Sequence, residues 1–140
     1  MPSIFFFQEK NTTLAERNRL KHFIDRLFQK NGKKLGSLSY IFCSDQRLLE
    51  INRKFLNHDY YTDILTFDLS TSKKVIEGEI YISIDRVKEN AKNLGCTLKE
   101  ELHRVIFHGA LHLCGLKDKS KNEKMQMTLA ENECLRLYFK

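Results

Sequence analysis

His108 and His112 stand four residues apart in the run His108-Gly109-Ala110-Leu111-His112-Leu113-Cys114-Gly115-Leu116-Lys117-Asp118. On a helix that spacing puts both imidazoles on one face, where they can aim at one ion. Gly115 follows closely and suits a left-handed turn that stops the helix. The chain could then fold back and bring the Asp118 carboxylate to the same point. Two imidazoles and one carboxylate leave a tetrahedral ion one open position for water, the pattern of a catalytic rather than a structural zinc site. Such an ion acidifies its water and polarises a phosphoryl or carbonyl oxygen, so the implied reaction class is hydrolysis. The rival reading is two histidines packed on a helix surface, with Asp118 an unrelated loop residue.

A zinc peptidase is the first enzyme to consider, since its helix reads H-E-x-x-H-x-x-G-x-x-H. The spacing is kept here, with Asp118 as third ligand. Gly109, however, stands where the catalytic Glu belongs. A glycine takes no proton, so peptidase chemistry is disfavoured. The ligand set alone does not fix the metal, because similar sets accept nickel, cobalt or iron.

Something must position that helix. Thr97-x-x-Glu100 reads as a capping box that launches it. Val105, Ile106, Leu111 and Leu113 make it apolar on most sides, as for a helix through a domain centre. Upstream, Ser3 to Gln8 reads as a short buried strand, its three phenylalanines as core. Thr13-x-x-Glu16 predicts the start of an amphipathic helix carrying Leu20, Phe23, Ile24 and Leu27, ended by Asn31-Gly32. Lys33-Lys34 reads as a solvated turn before a strand over Leu38–Cys43, and Ser44 caps a helix bearing Leu48, Leu49 and Phe55. A polar and aromatic segment, Asn57 to Asp63, leads into the strand Ile64–Phe67. Ile80, Ile82 and Ile84 alternate with Tyr81 and Ser83 as a half-buried strand. A helix from Asp85 to about Asn93 closes at Gly95, and Ser120-x-x-Glu123 caps a last helix with Met125, Leu129 and Leu135 along it. The order is strand, helix, strand, helix, two strands, three helices. That is an α/β (or α+β) fold with a small mixed sheet of about four strands, about five helices and a zincin-like metal-binding helix.

The 140 residues suffice for a single domain with a proper core, here residues 1–140 as one metal-dependent hydrolase unit. A 41% hydrophobic share with 30% charged residues is that of a soluble globular protein. No apolar run approaches a membrane span, and Ile4–Phe7 is too short for a signal-peptide core. The four cysteines never form C-x-x-C, and a reduced cytoplasmic chain explains them most simply. Lys and Arg number 24 against 18 acidic residues, a net charge of +6 that favours polyanionic partners, nucleic acid above all.

With these residues in view, the sequence resembles the bacterial YbeY endoribonucleases, metal-dependent rRNA maturation factors with the motif H-G-x-L-H-L-x-G-[YF]-D-H. His108, Gly109, Leu111, His112, Leu113 and Gly115 match it. Asp59 with Thr62-Asp63-Ile64-Leu65-Thr66-Phe67 is similar to the family's D-x-x-T-[DN]-V-L-[ST]-F, and Gly78-Glu79-Ile80 with Ile82-Ser83 to its G-[DE]-I-x-I-S strand. Glu101, Met127 and Glu131 also fit. The likeness spans most of the chain in the right order. It implies a single-strand-specific endoribonuclease, dependent on one zinc ion, acting in the cytoplasm on RNA of the ribosomal small subunit in rRNA maturation and ribosome quality control.

The chain departs from the family at two positions. Asp118 stands at the usual third histidine, which should make the ion a weaker Lewis acid. Leu56 stands at a family arginine, so a phosphate would need a substitute such as Lys54 or Arg53. Beside the ligands, Lys117, Lys119 and Lys121 could attract an RNA backbone, or form only a solvated basic loop. Tyr60 and Tyr61 could stack on unpaired bases or pack at the core or rim. Asp63 is the candidate for orienting a ligand or handling a proton, against a local Asx-turn at the strand start. His58 and His103 read as surface or structural, and Cys114 as packing. The alternative from another class is a non-catalytic assembly factor, in which zinc fixes the fold and the basic surface binds rRNA.

Overall fold

The computed structural model describes residues 2–140. Its elements run β1 (Ser3–Gln8), α1 (Arg17–Lys30), β2 (Lys34–Cys43), α2 (Asp45–Leu56), β3 (Ile64–Asp68), β4 (Val75–Ser83), α3 (Ile84–Leu94), α4 (Leu98–Leu113) and α5 (Lys121–Tyr138). This is the order expected, and the architecture is the α/β mixed sheet with five helices. The strands lie as β1-β2-β4-β3. β1, β2 and β4 are parallel neighbours, whereas β3 runs antiparallel to β4 at the edge. Parallel pairing needs long crossovers, and α1 and α2 lie within them.

Helix α4 packs on β3 and β4 and between α1, α3 and α5. Its Val105, Ile106 and Phe107 join Leu20, Ile24 and Phe28 of α1, Leu38, Tyr40 and Phe42 of β2, and Ile80 and Ile82 of β4 in one core. Tyr40 enters that core with its hydroxyl satisfied, donating to the Ile106 carbonyl at 3.0 Å, and burial pushes its pKa well up. On the other face of the sheet α2 sets Leu48 and Ile51 against Cys43 and Leu65. Among the described residues no helix is long and apolar enough to cross a membrane, and Cys43, Cys96, Cys114 and Cys134 are free thiols.

Four local expectations need correction. Thr13 does not cap α1: Glu16 occupies the cap with φ +54, and no side chain accepts there. Leu14 is buried in the core, which commits the preceding backbone to anchoring rather than capping. β1 is an edge strand, not a buried one. Ile4 and Phe6 face the core, but Phe5 and Phe7 are 49% and 51% exposed, because α2 packs against β3 and β4 on that side of the sheet. Phe55, Met125 and Leu129 are exposed; α5 instead buries Met127, Glu131, Cys134, Leu135 and Tyr138. Finally, Lys34 begins β2, a strand longer than its apolar run because it is paired on both edges.

Gly109 explains how α4 is seated. A Cβ there would lie 2.8 Å from Ile80 Cδ1 and 3.0 Å from Ile64 Cδ1. Glycine inside a helix costs about 1 kcal/mol relative to alanine, so close approach to the sheet offsets that cost. The position therefore points at β3 and β4 rather than at solvent or the histidine face. Gly109→Glu, the residue a peptidase would carry, is expected to lower stability by about 3 kcal/mol or more, since a carboxylate would be forced among isoleucines. Urea unfolding of the variant checks this, and a midpoint equal to wild type would refute the close seating.

Candidate metal centre

One stripe of α4 stays polar. Glu101, Arg104, His108 and His112 recur at helical spacing and, with Val105, form one wall of a cavity of about 510 Å³. Leu56 and Thr62 to Thr66 form the facing wall; Asp118 and Glu131 complete it. Thr97 caps the helix by accepting from the Glu100 amide at 3.0 Å, but the Glu100 side chain makes no return bond, so the expected box is only half formed.

The helix ends as its sequence requires. Gly115 takes φ +110; its amide donates to the His112 carbonyl at 3.0 Å, and the Leu116 amide donates to the Leu111 carbonyl at 3.1 Å. These are the two bonds of a Schellman turn, which needs a residue free to adopt positive φ. The turn does more than stop the helix. It brings the Leu116 carbonyl to 3.1 Å from His112 Nδ1, and it returns the chain so that Asp118 Oδ2 lies 3.7 Å from His108 Nε2.

His108 is fixed from behind. Its Nδ1 lies 2.6 Å from Oε2 of Glu131, a buried carboxylate on α5. A carboxylate or carbonyl at Nδ1 makes that nitrogen the donor and leaves Nε2 with its lone pair outward. Both histidines thus present the nitrogen a metal would take. Burial alone would lower the pKa of His108; the Glu131 bond and charge, with Asp118 and Asp63, outweigh it and carry it upward. Arg104 holds the acidic side together. Its Nε donates to Glu101 at 3.1 Å, and its Nη1 is 3.2 Å from Asn132 Oδ1 and 3.6 Å from Glu131 Oε1.

Asp63 lines the cavity, and burial raises its pKa while His108 pulls it back. Its carboxylate accepts from Asn90 Nδ2 at 3.4 Å. Beside it, at the start of β3, the Thr62 hydroxyl donates to the Ile64 carbonyl at 3.3 Å. The other candidates lie outside. Lys117, Lys119 and Lys121 are exposed on the loop around Asp118 and the first residue of α5. Tyr60 and Tyr61 are exposed, not core; Tyr60 stacks on His58 with ring centroids 5.2 Å apart, and Tyr61 lies beneath the Arg86 guanidinium. Neither expected substitute for the family arginine lines the cavity. Arg53 is paired with Asp59, and Lys54 lies over Phe55. His103 is buried and structural, bonded through Nδ1 to the Lys99 carbonyl at 2.7 Å.

The two histidines and Asp118 share this cavity, yet among the described residues no three His, Cys, Asp or Glu side chains stand close enough to grip an ion. The donors fit a zinc ion by type and by the orientation of their nitrogens. Asp118 is 39% exposed on its loop. Spacing alone could not reveal that Glu131 holds His108, because that contact joins residues 23 positions apart.

An α/β fold whose central helix bears two histidines, with a carboxylate returned towards them over a glycine turn, carries the donor types of a metal-dependent hydrolase. The family model "Endoribonuclease YbeY" matches residues 5–138, and the chain belongs to that family of metal-dependent rRNA maturation enzymes. It is 50% identical to Endoribonuclease YbeY of Cytophaga hutchinsonii over 96% of this chain and 95% of the relative. It is 46% identical to that of Porphyromonas gingivalis, over 96% and 89%. The solution structure of TM1509 from Thermotoga maritima matches with TM-score 0.62 and 27% identity, over 99% of this chain and 91% of that one.

Glu131→Gln keeps the shape but removes the charge behind His108. Zinc affinity is expected to fall roughly 10–100-fold, the usual loss when such a partner is changed. Competition against a chromogenic chelator measures it; an unchanged affinity would mean that the Glu131 bond does not orient a ligand.

Proposed function

We propose that this chain is a metal-dependent endoribonuclease of rRNA maturation, with one zinc ion held by His108, His112 and Asp118. The supporting observation is the setting of His108, whose Nδ1 is tied to buried Glu131 while its Nε2 faces Asp118 across 3.7 Å. A histidine merely packed on a helix surface would need neither carboxylate. Residues 1–140 act together as one hydrolase domain in the cytoplasm. The substrates are unpaired segments of small-subunit rRNA, cleaved in maturation and in ribosome quality control.

When bound, the ion supplies a Lewis acid for a phosphodiester oxygen and an acidified water. Everything else falls to the protein. Glu131 and the Leu116 carbonyl hold the two imidazoles in the tautomer that leaves Nε2 free. Asp63, carboxylate in the cavity, accepts the proton of the attacking hydroxyl, whether that belongs to water or to the neighbouring ribose. Burial moves its pKa up towards the range where a general base is effective. Lys117, Lys119 and Lys121 draw the RNA backbone towards Asp118. Tyr60 and Tyr61, both open to solvent, offer faces on which unpaired bases stack.

The test compares rigorously purified wild type with His112→Ala on single-stranded RNA. His112 is exposed, so the variant should fold. Cleavage is expected to drop at least 100-fold in the variant, and a chelator should abolish it in wild type until zinc is returned. Cleavage that persists in folded, zinc-free His112→Ala would overturn the reading.

A further inference from the structure

The cavity of the metal centre is a poor host for a polyanion beyond the single phosphate at the ion. Asp63, Glu101, Asp118 and Glu131 all line it. Its guanidinium, Arg104, is already engaged by Glu101 and Glu131. A ribonucleotide strand carries a charge at every linkage, so neighbouring phosphates must leave this acidic pocket on a path that repels them less.

A second groove, of about 680 Å³, begins where the first ends. His112 lines both. The groove runs over the C-terminal end of α4 between Lys33, in the turn before β2, and the β3–β4 connection with Ser70, Thr71 and Lys73. Lys33 and Lys73 are exposed, and neither enters an ion pair among the described residues. The carboxylate lining it, Asp68, is occupied by the Ser70 amide at 3.0 Å. Ile76 and Leu113 supply an apolar floor against which a ribose or base edge can lie. The sign of the charge therefore changes across one side chain, and that side chain is a proposed ligand.

We infer that single-stranded RNA passes from the metal centre over His112 into this groove, where Lys33 and Lys73 hold backbone phosphates flanking the cleaved one. This rests on the endoribonuclease reading above and adds to it a direction for the strand. It also places the phosphate-holding cations on the side of His112 opposite Leu56.

Binding of a single-stranded 2′-O-methyl oligoribonucleotide to the zinc-loaded protein tests it, with cleavage of unmodified RNA measured in parallel. Lys33→Ala/Lys73→Ala should weaken binding about tenfold at low salt. Each lost phosphate contact should also flatten the plot of log affinity against log salt by about 0.7, hence by about 1.4 for the pair. Lys33→Arg/Lys73→Arg should retain both values, and Lys88→Ala/Lys92→Ala, exposed on α3 and outside the groove, should not move the slope. If wild type binds and cleaves but the double alanine variant keeps its affinity and slope, the groove is refuted while the endoribonuclease reading stands. An equal loss in the Lys88/Lys92 control would also refute it, as diffuse surface charge. Wild type that neither binds nor cleaves RNA would bring down both.

Discussion

A helix buried on nearly every side can keep a polar stripe only if the polar groups on it satisfy one another. α4 meets that condition through a chain of contacts: Glu101 to Arg104, Arg104 to Glu131, Glu131 to His108. The terms are large. Removing one partner of a buried charged pair costs about 3–5 kcal/mol, because the remaining charge is stranded away from water. α5 supplies Glu131 and Asn132 to that chain while burying Met127, Cys134 and Leu135 beside it. The contact that completes the core and the contact that aims His108 are thus made by the same helix.

The flank of α4 beside that stripe carries the complementary constraint. Gly109 lets the backbone approach Ile80 and Ile64, which brings β3, and with it Asp63, against the polar stripe. A bulkier residue would lift the helix and widen the cavity between His108 and the β3 wall. The absence of a glutamate at this position is therefore a consequence of packing as well as of chemistry. The carboxylate proposed as base, Asp63, stands instead on the wall facing the helix, just before β3.

Much of this was legible in local chemistry. The caps Ser44, Thr97 and Ser120 bond as their residue types require, and Gly115 adopts the positive φ that its place after an apolar helix suggests. These depend on neighbours within a few positions. The misreadings share the opposite cause. Thr13-x-x-Glu16 has the letters of a capping box, but burial of Leu14 commits that backbone to an anchor. Phe5, Phe7, Met125 and Leu129 are apolar enough for a core, yet which face of a sheet or helix receives cover depends on where α2 and α4 settle. Glu131 fitted the family pattern, but its role is visible only once α5 lies beside α4.

Charge links the two departures from the family pattern. Asp118, where the family pattern has histidine, adds a negative charge to a cavity already holding Asp63, Glu101 and Glu131, and Leu56 removes a positive one from its rim. Both changes make the pocket less hospitable to a phosphodiester. A bound divalent cation offsets two of those charges, and Arg104 offsets another without being free to leave its partners. The surplus of basic residues elsewhere, giving a net +6, must then supply the attraction for the strand. Because exposed charges act over only about 8–10 Å at physiological salt, the proposed hold on the backbone rests on lysines bordering the histidines rather than on the total.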